Sequence, residues 1–307
     1  MQASFTFTGP LETYIASRGP DVPILFFDPA ALQKQFELFQ SGFPGLVTYA
    51  VKANDKSEVI ENLHMVGLST FDVASPAEIA RVRDLCPDAT LHYNNPVRSV
   101  REIRMAVQAG VASWSVDCIS ELEKLIEHGA MGEIAVRLHL PMGGSAYNFG
   151  EKFGACPDDA VTLLQRVARA GYQAAMTFHV GTQCIDHTAW DHYISACHDI
   201  AQRAGVTLSR LNVGGGFPAH RDGVAPDLAA IFIQITTSIE RTFGDQAPKL
   251  VCEPGRALVS ECYQLLVRVK GRKANNILYL NDGIYGAMAE WRDIGPVKRL
   301  DIRNSSG

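Results

Sequence analysis

The sequence predicts an α/β fold in which a (β/α)8 barrel is joined to a second, β-rich domain. Short β-branched runs alternate with longer stretches of helical periodicity through most of the 307 residues. This is the pattern of repeated β-α units around a parallel sheet. The regularity ends near residue 260, where alternating apolar and polar residues replace it. The composition, 47% apolar and 20% charged, is that of an ordinary globular protein.

The predicted barrel strands follow one another at intervals that leave room for one helix each. In order they read LVTYAV, STFDVA, TLHYN, SWSVD, IAVRLHL, AAMTFHV, RLNVGG and KLVCEP. Amphipathic stretches such as SPAEIARVRDL and PDDAVTLLQRVARAG lie between them, and several are opened by Ser or Asp and closed by Gly, as helix caps prefer. Eight such units in roughly 230 residues predict a TIM barrel, which we expect over residues 28–260.

The chain after the barrel predicts part of a second domain. The stretch CYQLLVRVKGRKANNILYLNDGIYG alternates apolar and polar residues around the turn-like GRKANN. Such alternation around a turn indicates an antiparallel hairpin. A further short strand is predicted before the barrel in PILFFDPA. We therefore expect a β-rich piece over residues 261–307.

Charge and composition exclude several classes of partner. The net charge is -5 and the chain has no Lys/Arg run, so a nucleic acid is not expected. The N-terminus lacks the basic flank and apolar core of a signal peptide, and no apolar run is long enough to cross a bilayer, so we expect a cytoplasmic protein without a membrane partner. The 7 scattered cysteines, with no C-x-x-C pair, are typical of reduced thiols, and no metal site is predicted. A small molecule or another subunit is the expected partner.

Polar residues gather at the carboxyl ends of the predicted strands, where barrels of this kind carry their chemistry. Each one alone has a simpler explanation, such as a solvated strand tip, a helix cap or a hydrogen-bonded core residue. Their coincidence on one face of the barrel favours a functional site. In strand order they are Lys52, Asp72 with Glu78 just beyond, Asn94, Asp117, Arg137, His179, Gly214, Gly215 and Gly216, and Glu253 in the EPGR stretch.

Three chemical groups at this face predict the cofactor. The glycines after the seventh strand and EPGR after the eighth predict an anion site, because backbone N–H groups approach a phosphate only where no side chain intervenes. Lys52 can form a Schiff base with an aldehyde, and Glu253 can hold a pyridine nitrogen protonated. A phosphate site, a carboxylate and a lysine at one barrel mouth together predict pyridoxal 5'-phosphate.

Six stretches in order carry a resemblance to a known family. YAVKAN, FDVASPAEI, HVGTQ, GGGFP, EPGR and NDGIYG together resemble the fold-type III, alanine-racemase-like decarboxylases, most nearly the ornithine/lysine decarboxylase group. The similarity runs from about residue 24 to about residue 290. It implies decarboxylation of ornithine or lysine to a diamine such as putrescine in polyamine biosynthesis. It also implies that residues 1–27 join 261–307 in the β-domain, and that the enzyme is a homodimer with active sites at the interface.

The resemblance implies a role for individual residues. Lys52 is the Schiff-base lysine, His179 stacks on the cofactor ring, and Glu253 pairs with the pyridine nitrogen. Tyr285 and Asp293 match positions at the substrate end of the family's site. The remaining cofactor-binding residues that it implies are Asp72, Arg137, Thr182, Gly214, Gly215, Gly216, Gly255 and Arg256.

Several alternatives stay open at this stage. GGGFP and NDGIYG favour the diamine-forming decarboxylases, whereas the glutamine of HVGTQ is similar to the diaminopimelate decarboxylases. A non-catalytic, regulator-binding relative of ornithine decarboxylase is a further alternative. A racemase is disfavoured, because racemases of this fold place an arginine where Glu253 stands. The family's C-terminal cysteine–aspartate pair and later tyrosine do not follow residue 290, so we expect a truncated chain in preference to natural loss of these elements.

Overall fold

The computed structural model describes residues 13–15, 21–141 and 152–302. The chain divides into two compact units. The first contains residues 29–219 and 226–260. The second contains the described residues up to Asp28, together with residues 220–225 and the chain from Glu261 onward. The two units are described separately below.

The first unit is built on a nine-stranded, entirely parallel sheet, in which β2 to β10 follow the order β2-β10-β9-β8-β7-β6-β5-β4-β3. In chain order the strands of the whole protein are β1 Ile24–Phe27, β2 Leu46–Val47, β3 Tyr49–Ala50, β4 Thr70–Val73, β5 Thr90–Tyr93, β6 Ser113–Val116, β7 Glu133–Arg137, β8 Gln173–Thr177, β9 Arg210–Asn212, β10 Lys249–Cys252, β11 Tyr263–Leu266, β12 Val269–Arg272 and β13 Leu278–Leu280.

The first barrel strand closes the ring. Its halves β2 and β3 are separated only by Thr48, and β2 pairs with β10 while β3 pairs with β4. Both the backbone N–H and the hydroxyl of Thr48 donate to the carbonyl of Cys252, at 2.9 and 3.0 Å. The single strand predicted from LVTYAV is therefore two short strands that together count as one. With this strand counted once the ring has eight strands, and the predicted TIM barrel is confirmed.

Helices alternate with the barrel strands, as the β-α rhythm predicts. They are α1 Pro29–Gly42, α2 Ser57–Met65, α3 Pro76–Leu85, α4 Val100–Gln108, α5 Ile119–Glu127, α6 Pro157–Arg169, α7 Thr188–Ala204, α8 Leu228–Phe243 and the short α9 Arg256–Val259.

Local sequence explains where these helices begin and which face they bury. Ser99 and Glu102 form a reciprocal capping box at the start of α4, which satisfies two backbone N–H groups of the first turn. In α6 the buried residues recur at helical spacing, and this face packs against β7 and β8. Each fully buried leucine there stabilises the fold by about 1.5–3 kcal/mol. The buried residues of α6 are Ala160, Leu163, Leu164 and Val167.

The second unit contains antiparallel strand pairs. Strand β1 pairs with β11, and β12 pairs with β13, so the predicted hairpin around GRKANN is present. Its turn holds Asn275 and Asn276 with positive φ angles of 72° and 58°, a conformation that asparagine tolerates better than most residues. The unit also contains the single-turn helix α10 Trp291–Ile294. Within the described parts of the chain, no helix is both long and apolar enough to cross a membrane.

Candidate active site

Lys52 lies immediately beyond β3, in the one-turn 3-10 helix Val51–Ala53 at the carboxyl end of the first barrel strand. The preceding Val51 is buried, whereas Lys52 is exposed. The hydroxyl of buried Tyr49 donates to the backbone carbonyl of Asn54 at 2.8 Å, which ties down the loop that follows the lysine. The turn therefore presents a long cationic side chain from a fixed backbone.

Two acidic side chains are buried at the same mouth. Asp72 in β4 is 3% exposed, and Glu253, directly after β10, is 7% exposed. Burial raises the pKa of the Asp72 carboxyl well above its ordinary value, and the charge of Glu253 raises it further. Lys52 and Asn94 act on this pKa in the opposite direction. Asp72 and Glu253 thus form a carboxyl pair within electrostatic reach of the lysine.

Two buried asparagines hold Glu253. The amide Nδ2 of Asn94 donates to Oε1 of Glu253 at 2.6 Å, and Nδ2 of Asn212 donates to the same oxygen. Oδ1 of Asn212 accepts from the backbone N–H of Gly214 at 2.9 Å, so this side chain also holds the glycine loop. Sequence reasoning noted Asn94 only as a strand-end residue and missed Asn212. The sequence signal for Asn212 is its polar side chain at the end of the predicted strand RLN.

His179 follows β8 and is held by its own loop. The backbone N–H of Gly181 donates to its Nδ1 at 3.0 Å, which makes Nδ1 an acceptor and places the proton of the neutral ring on Nε2. Burial lowers the pKa of His179 well below its ordinary value, and the charges of Lys52 and Arg137 lower it further. The histidine is therefore a neutral, oriented ring at neutral pH.

Arg137 is the last residue of β7 and lies among acidic groups. Burial lowers the pKa of its guanidinium, while the carboxylates of Glu253, Asp117 and Asp72 act to raise it. Its guanidinium carbon is 5.3 Å from the ring centroid of Phe153, a cation–π distance. The arginine provides a positive charge that faces the carboxyl pair.

The loop of Gly214, Gly215 and Gly216 packs against the loop that follows β8. A Cβ atom on Gly214 would lie 2.0 Å from the carbonyl oxygen of Phe178, and one on Gly216 would lie 2.2 Å from that of Gly181. Gly214 and Gly216 also have φ angles of +70° and +86°, a left-handed conformation that favours glycine. No other residue fits at these two positions, as a backbone anion cradle requires.

A glutamine joins the two loops. Nε2 of Gln183 donates to the carbonyl of Ala219 at 3.2 Å, and its Oε1 accepts from the N–H of Ala219 at 2.7 Å. The backbone N–H of Cys184 also donates to the carbonyl of Gly216 at 2.9 Å. Thr182, predicted to lie near the phosphate, is half-buried in this same joined region. Sequence reasoning did not assign Gln183 any role in the site.

The other predicted site residues fall in two places. Gly255 lies against the lysine turn, since a Cβ atom there would be 2.9 Å from that of Ala53, and Arg256 opens α9. Tyr285 and Asp293 belong to the second unit, where Tyr285 is 93% exposed. Their predicted part in substrate binding stays a prediction. Glu78, expected near the lysine, contributes to the raised pKa of Asp72. It lies in the first turn of α3, which Ser75 caps, and accepts from the N–H of Ala74 at 2.9 Å.

Residues 30–260 match the model of the pyridoxal-dependent decarboxylase family, in its pyridoxal binding domain. The chain belongs to this family. Pyridoxal-dependent decarboxylases use pyridoxal phosphate to remove the carboxylate of an amino acid, and the sequence resemblance, the enzyme class and the cofactor are thereby confirmed. The described residues contain no cluster of three or more His, Cys, Asp or Glu side chains that could hold a metal ion.

Curated relatives and solved structures agree with this assignment. The chain is 30% identical to a lysine/ornithine decarboxylase of Selenomonas ruminantium, over 90% of this chain and 72% of the relative. It is 28% identical to a diaminopimelate decarboxylase of Neisseria meningitidis, over 91% and 73% of the two chains. The crystal structure of a lysine/ornithine decarboxylase from Vibrio vulnificus complexed with putrescine is similar with a TM-score of 0.78 and 25% identity, covering 91% of this chain and 76% of that one.

The residues of this pyridoxal-dependent decarboxylase fit the cofactor. The glycine loop leaves no room for side chains, as a phosphate cradle must. Beside this loop lie Glu253 and the neutral His179, and the charge of Lys52 acts on both His179 and Asp72.

Proposed function

We propose that this chain decarboxylates a basic L-amino acid, ornithine or lysine, to the corresponding diamine in polyamine biosynthesis. The observation that carries the proposal is the electrostatic coupling of Lys52, Asp72, His179, Arg137 and Glu253 at one mouth of the barrel. Titratable groups with strongly shifted pKa values, here Asp72 and His179, cluster at catalytic sites. Here the coupled set joins a lysine to a buried carboxyl pair beside a glycine cradle.

Each residue has a separate task under this proposal. Lys52 would hold the cofactor covalently, and Gly214, Gly216 and their neighbours would bind its phosphate. When bound, pyridoxal phosphate supplies a protonated ring that accepts the electron pair left behind when the carboxylate departs as carbon dioxide. Glu253, fixed by two amide donors, accepts a hydrogen bond from that ring. His179, held neutral and oriented, packs against the ring without adding a competing positive charge.

The relatives support the proposed substrate class. The relatives include a lysine/ornithine decarboxylase and an enzyme crystallised with putrescine, a diamine. We propose that a carboxylate, with Asp293 as the candidate, pairs with the side-chain ammonium of the substrate, because charge-assisted hydrogen bonds to ammonium groups are strong. Tyr285 would contact the same end of the substrate. We also propose that the enzyme acts as a homodimer.

Diaminopimelate is the second candidate substrate, because one relative is a diaminopimelate decarboxylase. The sequence feature that favoured it was the glutamine of HVGTQ. In the structure Gln183 is occupied by two hydrogen bonds to the backbone of Ala219, a role in loop packing that carries no information about the substrate. We therefore place diaminopimelate second. A regulatory relative without catalysis would not need the lysine and carboxylate that this chain retains.

The test combines cofactor labelling with product analysis. The purified chain is mixed with pyridoxal phosphate, reduced with borohydride and mapped by mass spectrometry, and carbon dioxide release is followed from ornithine, lysine and diaminopimelate. We expect the label on Lys52 and release from ornithine or lysine. Lys52→Ala should lose both, while Lys56→Ala, at an exposed lysine four residues later, should lose neither. Release from diaminopimelate alone would refute the substrate proposal, and absence of any label would refute the proposed cofactor attachment.

A further inference from the structure

Hydrogen bonding in the active site is divided unequally between the two buried carboxyl groups. Oε1 of Glu253 accepts from the carboxamides of both Asn94 and Asn212. Oδ1 of Asp72, in contrast, has no hydrogen-bond partner in the described structure. Hydrogen bonds from donors stabilise the ionised form of a carboxyl group, whereas burial destabilises it. Asn94 also hydrogen-bonds Asp72, but one oxygen of Glu253 receives two amide donors while one oxygen of Asp72 receives none. This arrangement favours the negative charge on Glu253.

The unpaired oxygens identify which member holds the proton. Asp72 and Asn94 each keep one buried oxygen atom without a donor, and the two side chains interact. Because both atoms are acceptors, neither can supply the hydrogen that the other lacks. A proton on the Asp72 carboxyl supplies the missing donor. The raised pKa of Asp72, which follows from its burial and the charge of Glu253, agrees with this count.

We propose that Asn94 and Asn212 are positioning residues that hold Glu253 as the anionic member of the carboxyl pair, while Asp72 carries the pair's proton at neutral pH. The inference rests on the proposed function, in which an ionised Glu253 is the partner of a protonated cofactor ring. A protonated Glu253 would compete with the ring for the role of donor. The two asparagines thereby determine which carboxyl group is available to the ring.

Other charged groups face the pair and must be included in the assignment. Lys52 opposes the raised pKa of Asp72, while Glu78 adds to it. The carboxylates of Glu253, Asp117 and Asp72 all act to raise the pKa of Arg137, so its guanidinium is a positive charge that faces both members of the pair.

The proton can be located without any substitution. Asp72 is the only buried aspartate in residues 13–15, 21–141 and 152–302, so carbon-13 labelling of aspartate isolates its signal among protonated carboxyl groups. We expect the infrared spectrum of the labelled, cofactor-free chain to contain a protonated aspartic acid band at pH 7. Asp72→Asn should remove this band. A spectrum at pH 7 with only ionised aspartate would overturn the inference.

The role of Asn94 is tested against a matched neighbour. Asn94→Leu removes a donor to Glu253, whereas Asn95→Leu removes a donor to the backbone carbonyl of Ala74 at 3.2 Å and an acceptor for the N–H of Val97 at 3.3 Å, neither of which involves Glu253. With carbon-13 glutamate, we expect Asn94→Leu to increase the protonated glutamic acid band at pH 7 and to weaken pyridoxal phosphate binding about tenfold or more. Asn95→Leu should change neither, and Asn94→Gln, which keeps the carboxamide, should recover part of the affinity. Equal spectra and affinities for Asn94→Leu and Asn95→Leu would overturn the role of Asn94.

The design separates this inference from the proposed function. The infrared measurements use the cofactor-free chain, so they locate the proton whether or not substrate is turned over. A protonated aspartate in a chain that neither binds pyridoxal phosphate nor releases carbon dioxide would refute the function alone. An ionised aspartate in an active enzyme would refute the inference alone. If Asn94→Leu fails to fold, Asn212→Leu replaces it, because Asn212 donates to the same oxygen of Glu253.

Discussion

A buried histidine in the barrel should make the protein labile to acid. His92 in β5 is 3% exposed, and its Nε2 is 3.3 Å from Nη1 of Arg210. Arg210 in turn pairs with Glu133 at 3.3 Å, and Ser113 donates to Glu133 at 2.8 Å. Burial and, to a smaller extent, the positive charge of Arg210 together lower the pKa of His92 from 6.5 to about 3. The folded protein therefore keeps this histidine neutral at a pH where the unfolded chain protonates it.

The sign and size of the effect follow from proton linkage. Below pH 6.5 the unfolded chain binds a proton at His92, whereas the folded chain does not bind it until about pH 3. The contribution of the neutral His92 to the free energy of unfolding is therefore fully present above pH 6.5 and is lost as the pH falls towards 3. Each pH unit in this window costs about 1.36 kcal/mol. Between pH 7 and pH 5 the loss that His92 causes is about 2 kcal/mol, and over the whole window it approaches about 5 kcal/mol.

Urea unfolding across this range isolates the contribution of His92. We expect the free energy of unfolding of His92→Gln to decline less between pH 7 and pH 5 than that of the natural sequence, by about 2 kcal/mol. The exposed His187→Gln serves as the matched control and should follow the natural sequence. Glu133 and Asp72, whose pKa values are raised, are common to all three proteins and cancel in the comparison. Parallel pH profiles for His92→Gln and the natural sequence would refute this reasoning.

Three further substitutions test the site directly. Gly216→Ala should abolish pyridoxal phosphate binding in an absorbance titration, because its Cβ would lie 2.2 Å from a carbonyl oxygen, whereas Gly223→Ala, with open space around it, should bind normally. Gln183→Ala should lower the free energy of unfolding in urea by about 1–3 kcal/mol and weaken cofactor binding, because it leaves two backbone groups of Ala219 unpaired; unchanged binding would remove this residue from the site. Glu253→Gln should keep the fold but slow carbon dioxide release roughly a hundredfold or more in a turnover assay, and a smaller effect would argue against its proposed role.

Residues whose function depends on their place along a strand could be predicted from the sequence. Lys52, Asp72 and Glu253 follow or end β-branched runs, and the rule that barrels carry chemistry at these ends brings them together. No measured distance is needed to group these residues, because the regular alternation of β-α units places the carboxyl ends of all the strands on one face of the barrel. The barrel itself follows from the same period.

Residues whose function depends on a distant partner could not be predicted. Asn212 hydrogen-bonds Glu253 and Gln183 hydrogen-bonds Ala219, partners that are 41 and 36 positions away in the chain. Neither side chain differs locally from an ordinary strand or loop residue. The break at Thr48 has the same origin, because it depends on the last barrel strand meeting the first. Pairwise geometry of this kind is settled only when the chain is folded.

The closure of the barrel at Thr48 has a consequence for biosynthesis. The hydroxyl of Thr48 contacts Cys252 across 204 positions in sequence, one of the longest loops that this unit must close. A chain emerging from the ribosome can assemble successive β-α units, but it cannot complete the ring until Cys252 has been made. Long-range pairings of this kind are also slow to form, because the entropy of loop closure is lost before the contact is gained. Lys52, four residues after Thr48, therefore acquires its final surroundings late in synthesis, so a nascent chain halted before the last strand should be unable to retain the cofactor.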